Sequence, residues 1–488
     1  MSSDGPPPRD VTTLRRTAAV GGGWFVAALA LYLATGARGL VWGDSSKLTL
    51  YALSAHFPSL NPGDHAGWTV LAWGWLHALG GDPVVMAHRL SAFAGALAVA
   101  AAAMLALRRG AGLSGAHTVA VLLLVAHPLW WAAGVAETYA PAIAAVLLGA
   151  LVATLGGAWL LLAGLAWGLA VSIHTVALAL VVPLAWTLAR RRLPALAPGV
   201  VVGLAPVWLA VWLHPVDPLT GFAAAGAGTW RWHVGAFVDP ARTPGNAVII
   251  VALVLFALGP LGVLALTRAA DRNVTAPVWW ACLGGLGVLL LVYARFRLHL
   301  LVVFLVVGLV LARPVRLGLA ARMAHVALQV ALYTAAPVLL AAAGRGDLGV
   351  RVLPQRDNAR YFLDPVRWGD RGAERYLDEA AACLPPRAEL IADFNVGAVA
   401  RLAQVARGWR TDVLVAPVAV DVALAAPDPV AALAAVAQAA PTGRPVAFAD
   451  TYEPYYHLHD LAATLCLDRC GPLALVRSCR RDDGGSHP

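Results

Sequence analysis

The sequence predicts a mainly α-helical, polytopic membrane protein with a C-terminal α/β domain on the outer side of the membrane. Three observations predict this fold class: a hydrophobic fraction of 60%, a charged fraction of only 13%, and a series of long charge-free apolar runs. A soluble domain carries about 25% charged residues. Most of the chain is therefore expected to contact lipid or other buried helices.

Charge also divides the chain into two compositions. Residues 1–344 contain 20 basic and 9 acidic residues, whereas residues 345–488 contain 16 basic and 18 acidic residues. Two compositions predict two environments, a membrane bundle and then a soluble domain large enough for its own core. We expect a cytoplasmic N-terminal tail (1–16), a transmembrane domain (17–344) with a long first outer loop (38–88), a soluble extracytoplasmic α/β domain (345–481) and a disordered tail (482–488).

The apolar runs predict about eleven spans, because a helix needs about 20 apolar residues to cross the hydrocarbon core. The charge-free stretch 138–189 is long enough for three short helices, which we separate near Gly156 and near His174. The remaining eight runs are 17–37, 90–107, 110–136, 193–216, 243–267, 273–294, 298–312 and 323–344.

The basic residues predict the orientation of the chain. Arginines form short clusters between apolar runs, at Arg15–Arg16, Arg108–Arg109, Arg190–Arg192, Arg268 with Arg272, and Arg313 with Arg316 and Arg322. Cytoplasmic loops are enriched in basic residues. Eleven spans with a cytoplasmic N-terminus place every one of these clusters inside and the soluble domain outside. The net charge of +9 thus reflects membrane topology, and we expect no nucleic-acid partner.

The acidic residues of the membrane domain lie mostly on the outer side. Three are cytoplasmic in this topology, and six are outside: Asp44, Asp64, Asp82, Glu137, Asp217 and Asp239. The positive-inside rule says little about acidic residues. Their one-sidedness therefore predicts a polar cavity that opens on the extracytoplasmic side.

The first outer loop contains a set of residues suited to acid–base chemistry. Asp44 follows the first span directly, Lys47 is the only lysine of the chain, and His56 and His65 come next. A carboxylate in this setting could activate an acceptor hydroxyl, and the neighbouring cation could bind a phosphate. The alternative is a solvated loop with ordinary charges.

Two further candidates lie at breaks between apolar helices. Glu137 is flanked by apolar residues, and an acid at a membrane boundary is costly unless it is paired or hydrated. His174 lies in the outer break of the long charge-free stretch. Both are candidates for a functional role, although a lone histidine on an apolar helix is often structural.

Two later outer loops supply the remaining candidates. Arg295 and Arg297 suit an anionic headgroup such as a lipid phosphate, or simply snorkel to the membrane surface. Asp217 and His233 lie in a loop rich in tryptophan, which suits sugar stacking but also marks any bilayer interface.

The soluble domain shows mixed periodicity. Helices are predicted at 373–384 and 429–440, and strands at 389–394, 412–417 and 444–449, which together favour a small α/β unit. If this domain lies outside the cytoplasm, disulfides are expected among its four cysteines, although four free thiols remain the alternative. They are Cys383, Cys466, Cys470 and Cys479.

The order of these motifs resembles the GT-C class of polytopic glycosyltransferases, specifically a branch grouped with the protein O-mannosyltransferases. The motifs are Gly43-Asp44-Ser45, the histidine- and proline-containing stretch after it, Trp130-Trp131 leading to Ala136-Glu137-Thr138-Tyr139-Ala140, His174, Asp217-Pro218, His233 and Arg295-Phe296. The resemblance covers residues 17–345. Two positions depart from the family pattern. Lys47 stands where the family usually has a glutamate, and the family's His-Pro-Pro-Gly segment is split between His56 and His65.

The resemblance implies a transferase of the bacterial plasma membrane that moves a sugar from a polyprenyl-phosphate donor to an extracytoplasmic acceptor. Asp44 would be the base, and Arg295, with Arg297 and Lys47, would bind the donor phosphate. Glu137 and His174 would line the cavity. The implied partners are the lipid-linked donor, the acceptor and membrane lipids; the resemblance specifies no cofactor beyond the donor, and it leaves a divalent metal ion open. Two other classes stay open, a transporter and a non-catalytic binding or scaffold protein on the same fold.

Overall fold

The computed structural model describes residues 11–55, 65–189, 192–213, 243–267, 284, 316–416, 419–424, 426–439 and 443–477. Six predicted site residues lie outside this part of the chain: His56, Asp217, His233, Arg295, Arg297 and Cys479.

The described part of the predicted transmembrane domain, called the membrane domain below, consists of helices and their connections. In chain order they are α1 (Val11–Thr35), α2 (Asp44–Leu53), α3 (Ala66–Leu79), α4 (Pro83–Arg108), α5 (Gly112–Leu124), α6 (His127–Gly134), α7 (Tyr139–Ala153), α8 (Trp159–Ile173), α9 (Leu178–Ala189), α10 (Leu193–Gly203), α11 (Ala205–Leu213), α12 (Thr243–Thr267) and α13 (Leu319–Ala342). Helices α7, α8 and α9 divide the stretch 138–189 at the two predicted breaks, and a short 3₁₀ turn follows His174.

Three helices of the described chain are long and apolar enough to cross a membrane, namely Arg15–Thr35, Pro83–Arg108 and Leu319–Ala342. Two predicted spans are instead bent pairs, with α5 and α6 at 60° and α10 and α11 at 41°. If each bent pair is counted as one span, the described residues contain up to five spans. The count of eleven spans therefore stays a prediction.

Helix α4 is the centre of the membrane domain. It packs against α1, α5, α6 and α7, and most of its side chains are buried. Its buried face is rich in alanine, and small residues allow neighbouring membrane helices to approach closely. The helix starts at Pro83, with Asp82 as its N-cap. The Asp82 carboxylate accepts hydrogen bonds from the Val84 and Val85 backbone N–H groups, as expected of an N-cap aspartate.

Residues 38–88 form the segment predicted as the long first outer loop. It contains α2 and α3, and residues 83–88 already belong to α4. The predicted span begins at residue 90 because Arg89 interrupts the apolar run, whereas in the structure Arg89 lies inside the helix. Helix α3 is apolar on most of its surface and packs against α2, α4 and α8.

The C-terminal region predicted to be a soluble domain, called the soluble domain below, is an α/β unit around a five-stranded sheet of order β2-β1-β3-β5-β4. Its elements are α14 (Asn358–Leu363), α15 (Gly372–Cys383), β1 (Glu389–Ile391), α16 (Phe394–Arg407), β2 (Leu414–Ala416), α17 (Ala419–Leu424), α18 (Pro429–Gln438), β3 (Val446–Phe448), α19 (Glu453–Tyr456), α20 (Leu458–Leu461), β4 (Cys466–Cys470) and β5 (Leu473–Arg477). Strands β2, β1 and β3 are parallel, whereas β5 pairs antiparallel with both β3 and β4.

The predicted strand 389–394 ends at Ile391, and Phe394 is instead the first residue of α16. The physical reason is the Asp393 side chain, which accepts a hydrogen bond from the Asn395 backbone N–H at 2.9 Å and caps the helix. The hairpin of β4 and β5 was not predicted from the sequence.

One disulfide of the soluble domain is described in full. Cys383, at the end of α15, is joined to Cys470, at the end of β4, with a Cα–Cα distance of 5.6 Å. Cys466 is also disulfide-bonded. The first bond ties a helix on one face of the domain to the edge strand of its sheet.

The two domains are joined through the segment that follows α13. The Tyr361 hydroxyl donates to the Trp42 carbonyl at 2.7 Å, and the Tyr361 carbonyl accepts from the Trp131 indole N–H at 2.9 Å and from Arg367 at 2.6 Å. The Arg367 backbone N–H donates to the Thr35 carbonyl at the end of α1. The soluble domain is thus bonded to the C-terminal end of α1, to the segment before α2 and to α6.

Candidate active site

Asp44 is the first residue of α2, in the segment that follows α1. Its position depends on Gly43, whose φ of 76° and ψ of −141° lie in a region that residues with a Cβ rarely adopt. The neighbouring Ser45 hydroxyl donates to the Ala136 carbonyl at 2.8 Å, and the Ser46 hydroxyl donates to the Val41 carbonyl. These bonds fix the first turn of α2 against the connection between α6 and α7.

Lys47 and Asp44 form an ion pair with an Nζ–Oδ1 distance of 3.0 Å. They are three residues apart on α2, and this spacing brings two side chains together on one face of a helix. The Asp44 side chain is 43% exposed, whereas the Lys47 side chain is only 14% exposed. The carboxylate therefore remains accessible to a substrate while the ammonium lies in a more enclosed position.

Glu137 lies in the connection between α6 and α7, outside both helices, and is 8% exposed. Its Oε2 accepts a hydrogen bond from the Thr138 backbone N–H at 2.7 Å. Burial, followed by the nearby charge of Asp44, raises the pKa of Glu137 to about 7, and His65 and Lys47 act in the opposite direction. The carboxyl can therefore gain or lose a proton near neutral pH.

His88 and Ser91 hold the Glu137 backbone in place, and the sequence did not point to either. The His88 Nδ1 accepts from the Ala136 backbone N–H at 2.8 Å, so its Nε2 carries the proton and donates to the Gly39 carbonyl. Ser91 accepts from the Glu137 backbone N–H at 3.1 Å. The only sequence signal is a histidine and a serine three positions apart on one face of an apolar helix.

The imidazole ring of His65, which lies near Glu137, packs against the ring of His174. Their ring centroids are 5.0 Å apart, and the ring of Tyr139 lies 4.6 Å from that of His174. The His65 Nδ1 lies 3.0 Å from the Ile173 carbonyl oxygen, which can only accept, so this nitrogen donates. Its Nε2 is then the ring atom that can accept a proton or a hydrogen bond.

The structure thus brings together most of the predicted site residues that it describes. Asp44, Lys47 and His65 are each close enough to Glu137 to influence its pKa, and His174 contacts His65. Asp82 is different, because its carboxylate caps α4 and pairs with Arg407 of the soluble domain at 3.4 Å. The acidic residues predicted to lie outside therefore do not all belong to one site.

The described residues contain no group of three or more histidine, cysteine, aspartate or glutamate side chains that could hold a metal ion. Asp44, Lys47 and Glu137 supply instead an accessible carboxylate, a cation and a proton-exchanging acid. This set can remove a proton from a hydroxyl and stabilise an anion in the same place.

Comparison with known structures identifies the fold. No protein-family model matches the chain, and no curated protein matches it in sequence. The chain is similar to the crystal structure of ArnT from Cupriavidus metallidurans bound to undecaprenyl phosphate, with 16% identity, a TM-score of 0.54, and coverage of 98% of this chain and 100% of that one. The apo structure of the same protein gives the same identity and TM-score, and covers 94% of this chain. At this identity the likeness shows the fold alone.

Proposed function

We propose that the chain is a membrane glycosyltransferase that moves a sugar from a polyprenyl-phosphate donor to a hydroxyl on the extracytoplasmic side. The observation that carries this proposal is the accessible Asp44 carboxylate paired with Lys47, next to the buried Glu137. The ArnT fold adds support, because one of the two ArnT structures was determined with undecaprenyl phosphate bound. The proposed location is the bacterial plasma membrane, with the soluble domain outside.

The transfer step follows from the roles of the charged groups. Asp44 takes the proton of the acceptor hydroxyl, whose oxygen then forms a bond to the anomeric carbon of the sugar. The bond between that carbon and the phosphate oxygen breaks at the same time, and polyprenyl phosphate leaves with the bonding electrons. The Lys47 ammonium is placed to stabilise the charge that develops on this phosphate.

Glu137 and the two histidines are proposed to hold the sugar. In its protonated form the Glu137 carboxyl can donate a hydrogen bond to a sugar hydroxyl, and its raised pKa makes that form available near neutral pH. The rings of His65 and His174 offer a flat surface beside it. Roles for His56, Asp217, His233, Arg295 and Arg297 in binding donor or acceptor, and membership of the O-mannosyltransferase-like branch, rest on sequence resemblance.

A transfer assay tests this proposal directly. Purified full-length protein is incubated with a panel of polyprenyl-phosphate sugars that are radiolabelled in the sugar, together with membrane extract as the acceptor source. We expect the label to leave the lipid fraction with the wild-type protein and to remain there with Asp44→Asn. Transfer by Asp44→Asn at the wild-type rate would show that Asp44 is not the base.

A non-catalytic binding protein is the second candidate, because Lys47 neutralises the carboxylate that would act as base. The same assay separates the two functions. A binding protein would retain the labelled lipid on the purified protein without any loss of label, whichever sugar and extract are supplied.

A further inference from the structure

A phenylalanine of the soluble domain contacts the lysine of the membrane domain. The Lys47 Nζ lies 5.1 Å from the centroid of the Phe394 ring, within the range of a cation–π interaction. Phe394 is the first residue of α16, and this helix packs against α2. The residue after it is close to Gly43 as well, because a Cβ on Gly43 would lie 3.7 Å from the Asn395 Oδ1.

The backbone around Phe394 is held by a set of charged groups at the carboxyl ends of the parallel strands. The Phe394 backbone N–H donates to the Asp421 carboxylate, and the Asp393 side chain caps α16. Asp393 is fully buried and pairs with Arg351 at 3.0 Å, and this arginine also pairs with Asp450. These contacts lie within the soluble domain and hold the first turn of α16.

Two of the contacts of Lys47 differ in chemical kind. On one side is Asp44, whose side chain is 43% exposed, and on the other is the half-buried ring of Phe394. An aromatic ring carries no net charge, and it attracts a cation without competing with an anion for hydrogen bonds. Lys47 can therefore exchange one anion for another while it stays against the ring.

We propose that Phe394 is a positioning residue. Its ring keeps the Lys47 side chain in place while the ammonium group exchanges its ion pair with Asp44 for an ion pair with the phosphate of an incoming lipid donor. This inference rests on the proposed function and deepens it. The donor phosphate competes with Asp44 for one ammonium, and when the phosphate takes it, the carboxylate is freed to accept the proton of the acceptor. The donor therefore binds before the base becomes active, and the soluble domain takes part in donor recognition.

The single lysine of the chain allows a direct test. Full-length protein labelled with ¹³C at the lysine ε-carbon gives one side-chain NMR signal in nanodiscs. If the ammonium lies over the Phe394 ring, the protons on this carbon are shifted upfield from their position in the denatured protein. The shift should persist in Phe394→Tyr and disappear in Phe394→Leu.

A matched control is available in the same domain. Phe362 also lies against a cation, with the Arg356 guanidinium carbon 5.3 Å from its ring centroid. Phe362→Leu should leave the lysine signal at its wild-type position. A wild-type signal without the upfield shift overturns the inference even if Phe394→Leu fails to fold, and so does a shift that persists in a folded Phe394→Leu protein.

Titration with undecaprenyl phosphate tests the second half of the inference. Loss of the Phe394 ring in Phe394→Leu should weaken the binding of undecaprenyl phosphate by about two- to fivefold, which corresponds to the energy of a partly exposed cation–π contact. In a Lys47→Met background, Phe394→Leu should have no further effect. Equal weakening in both backgrounds would assign Phe394 a purely structural role. If the wild-type protein does not bind the lipid at all, the proposed function and the exchange of anions both fail, while the NMR shift still decides whether Phe394 holds Lys47.

Discussion

The imidazole rings of His65 and His174 lie with their centroids 5.0 Å apart, although helices α3 to α8 separate the two residues in the chain. The contact depends on Gly67, two residues after His65. A Cβ at this position would lie 2.3 Å from the Ser172 hydroxyl and 2.6 Å from the Ile173 backbone nitrogen. Helix α3 can therefore approach α8 closely only with a glycine here.

Substitution of Gly67 is expected to separate the two histidines. Gly67→Ala should reduce transfer by about tenfold to a hundredfold, because displacements of about 1 Å near a reacting group have effects of this size. The matched control is Gly74→Ala on the same helix, where a Cβ meets nothing within 4 Å. Both proteins are compared in the transfer assay, and equal activity of the two variants would contradict the role of this close approach.

The raised pKa of Glu137 predicts how stability depends on pH. A carboxyl whose pKa is higher in the folded state than in the unfolded state stabilises the fold at low pH, and this contribution is lost as pH rises through about 7. Between pH 5 and 8, the wild type should therefore lose stability relative to Glu137→Gln, by at most about 1.4 kcal/mol per pH unit.

The measurement is the thermal unfolding of both proteins in the same detergent across this pH range. Parallel curves for the wild type and Glu137→Gln would show that Glu137 does not titrate there. Asp82→Asn is a useful control because the Asp82 carboxylate caps α4 and pairs with Arg407.

Substitution of Gly43 is expected to be destabilising because of its backbone conformation, not because of crowding. A Cβ there finds space, since the nearest atoms are 3.7 and 4.0 Å away, but the backbone conformation is strained for any residue with a Cβ. Gly43→Ala should cost about 1–3 kcal/mol of stability or shift Asp44. Gly23→Ala, in a regular helix with nothing within 4 Å, should be neutral. Unfolding and transfer measured on both variants test this, and a neutral Gly43→Ala would argue against the strained turn.

The Cys383–Cys470 disulfide is expected to stabilise the soluble domain. It closes a loop of 87 residues, and loss of such a bond costs about 2–5 kcal/mol. The double variant Cys383→Ser with Cys470→Ser should unfold at lower temperature than the wild type under oxidising conditions and resemble it more closely under reducing ones. Identical unfolding of the two proteins under oxidising conditions would show that the bond does not form or does not matter.

Local signals predicted the parts of the site that depend on neighbouring residues in sequence. Asp44 and Glu137 stand out as acids beside apolar helices, and the breaks near Gly156 and His174 follow from the length of a charge-free run. The cation of Lys47 was visible too, although its pairing with Asp44 follows only once residues 44–53 are known to be helical.

Contacts between distant segments could not be predicted in the same way. Phe394 reads as the end of an apolar strand, and nothing in its neighbours indicates that it meets Lys47. His88 lies within an apolar helix, and its bonds to Gly39 and Ala136 depend on how three segments pack. The contacts of Phe394 and His88 are defined by tertiary structure, and a single sequence contains little information about them.

The hydrogen bonds of Tyr361 limit how the soluble domain can be replaced in an engineered protein. Its hydroxyl and its carbonyl bond to Trp42 and Trp131, residues that flank Asp44 and Glu137 in the sequence. A chimera that replaces the soluble domain with an unrelated one would lose these bonds along with the ring of Phe394. The membrane and soluble domains are therefore expected to function together only when both come from the same protein. Sequence changes in one domain at these contacts should be accompanied by matching changes in the other.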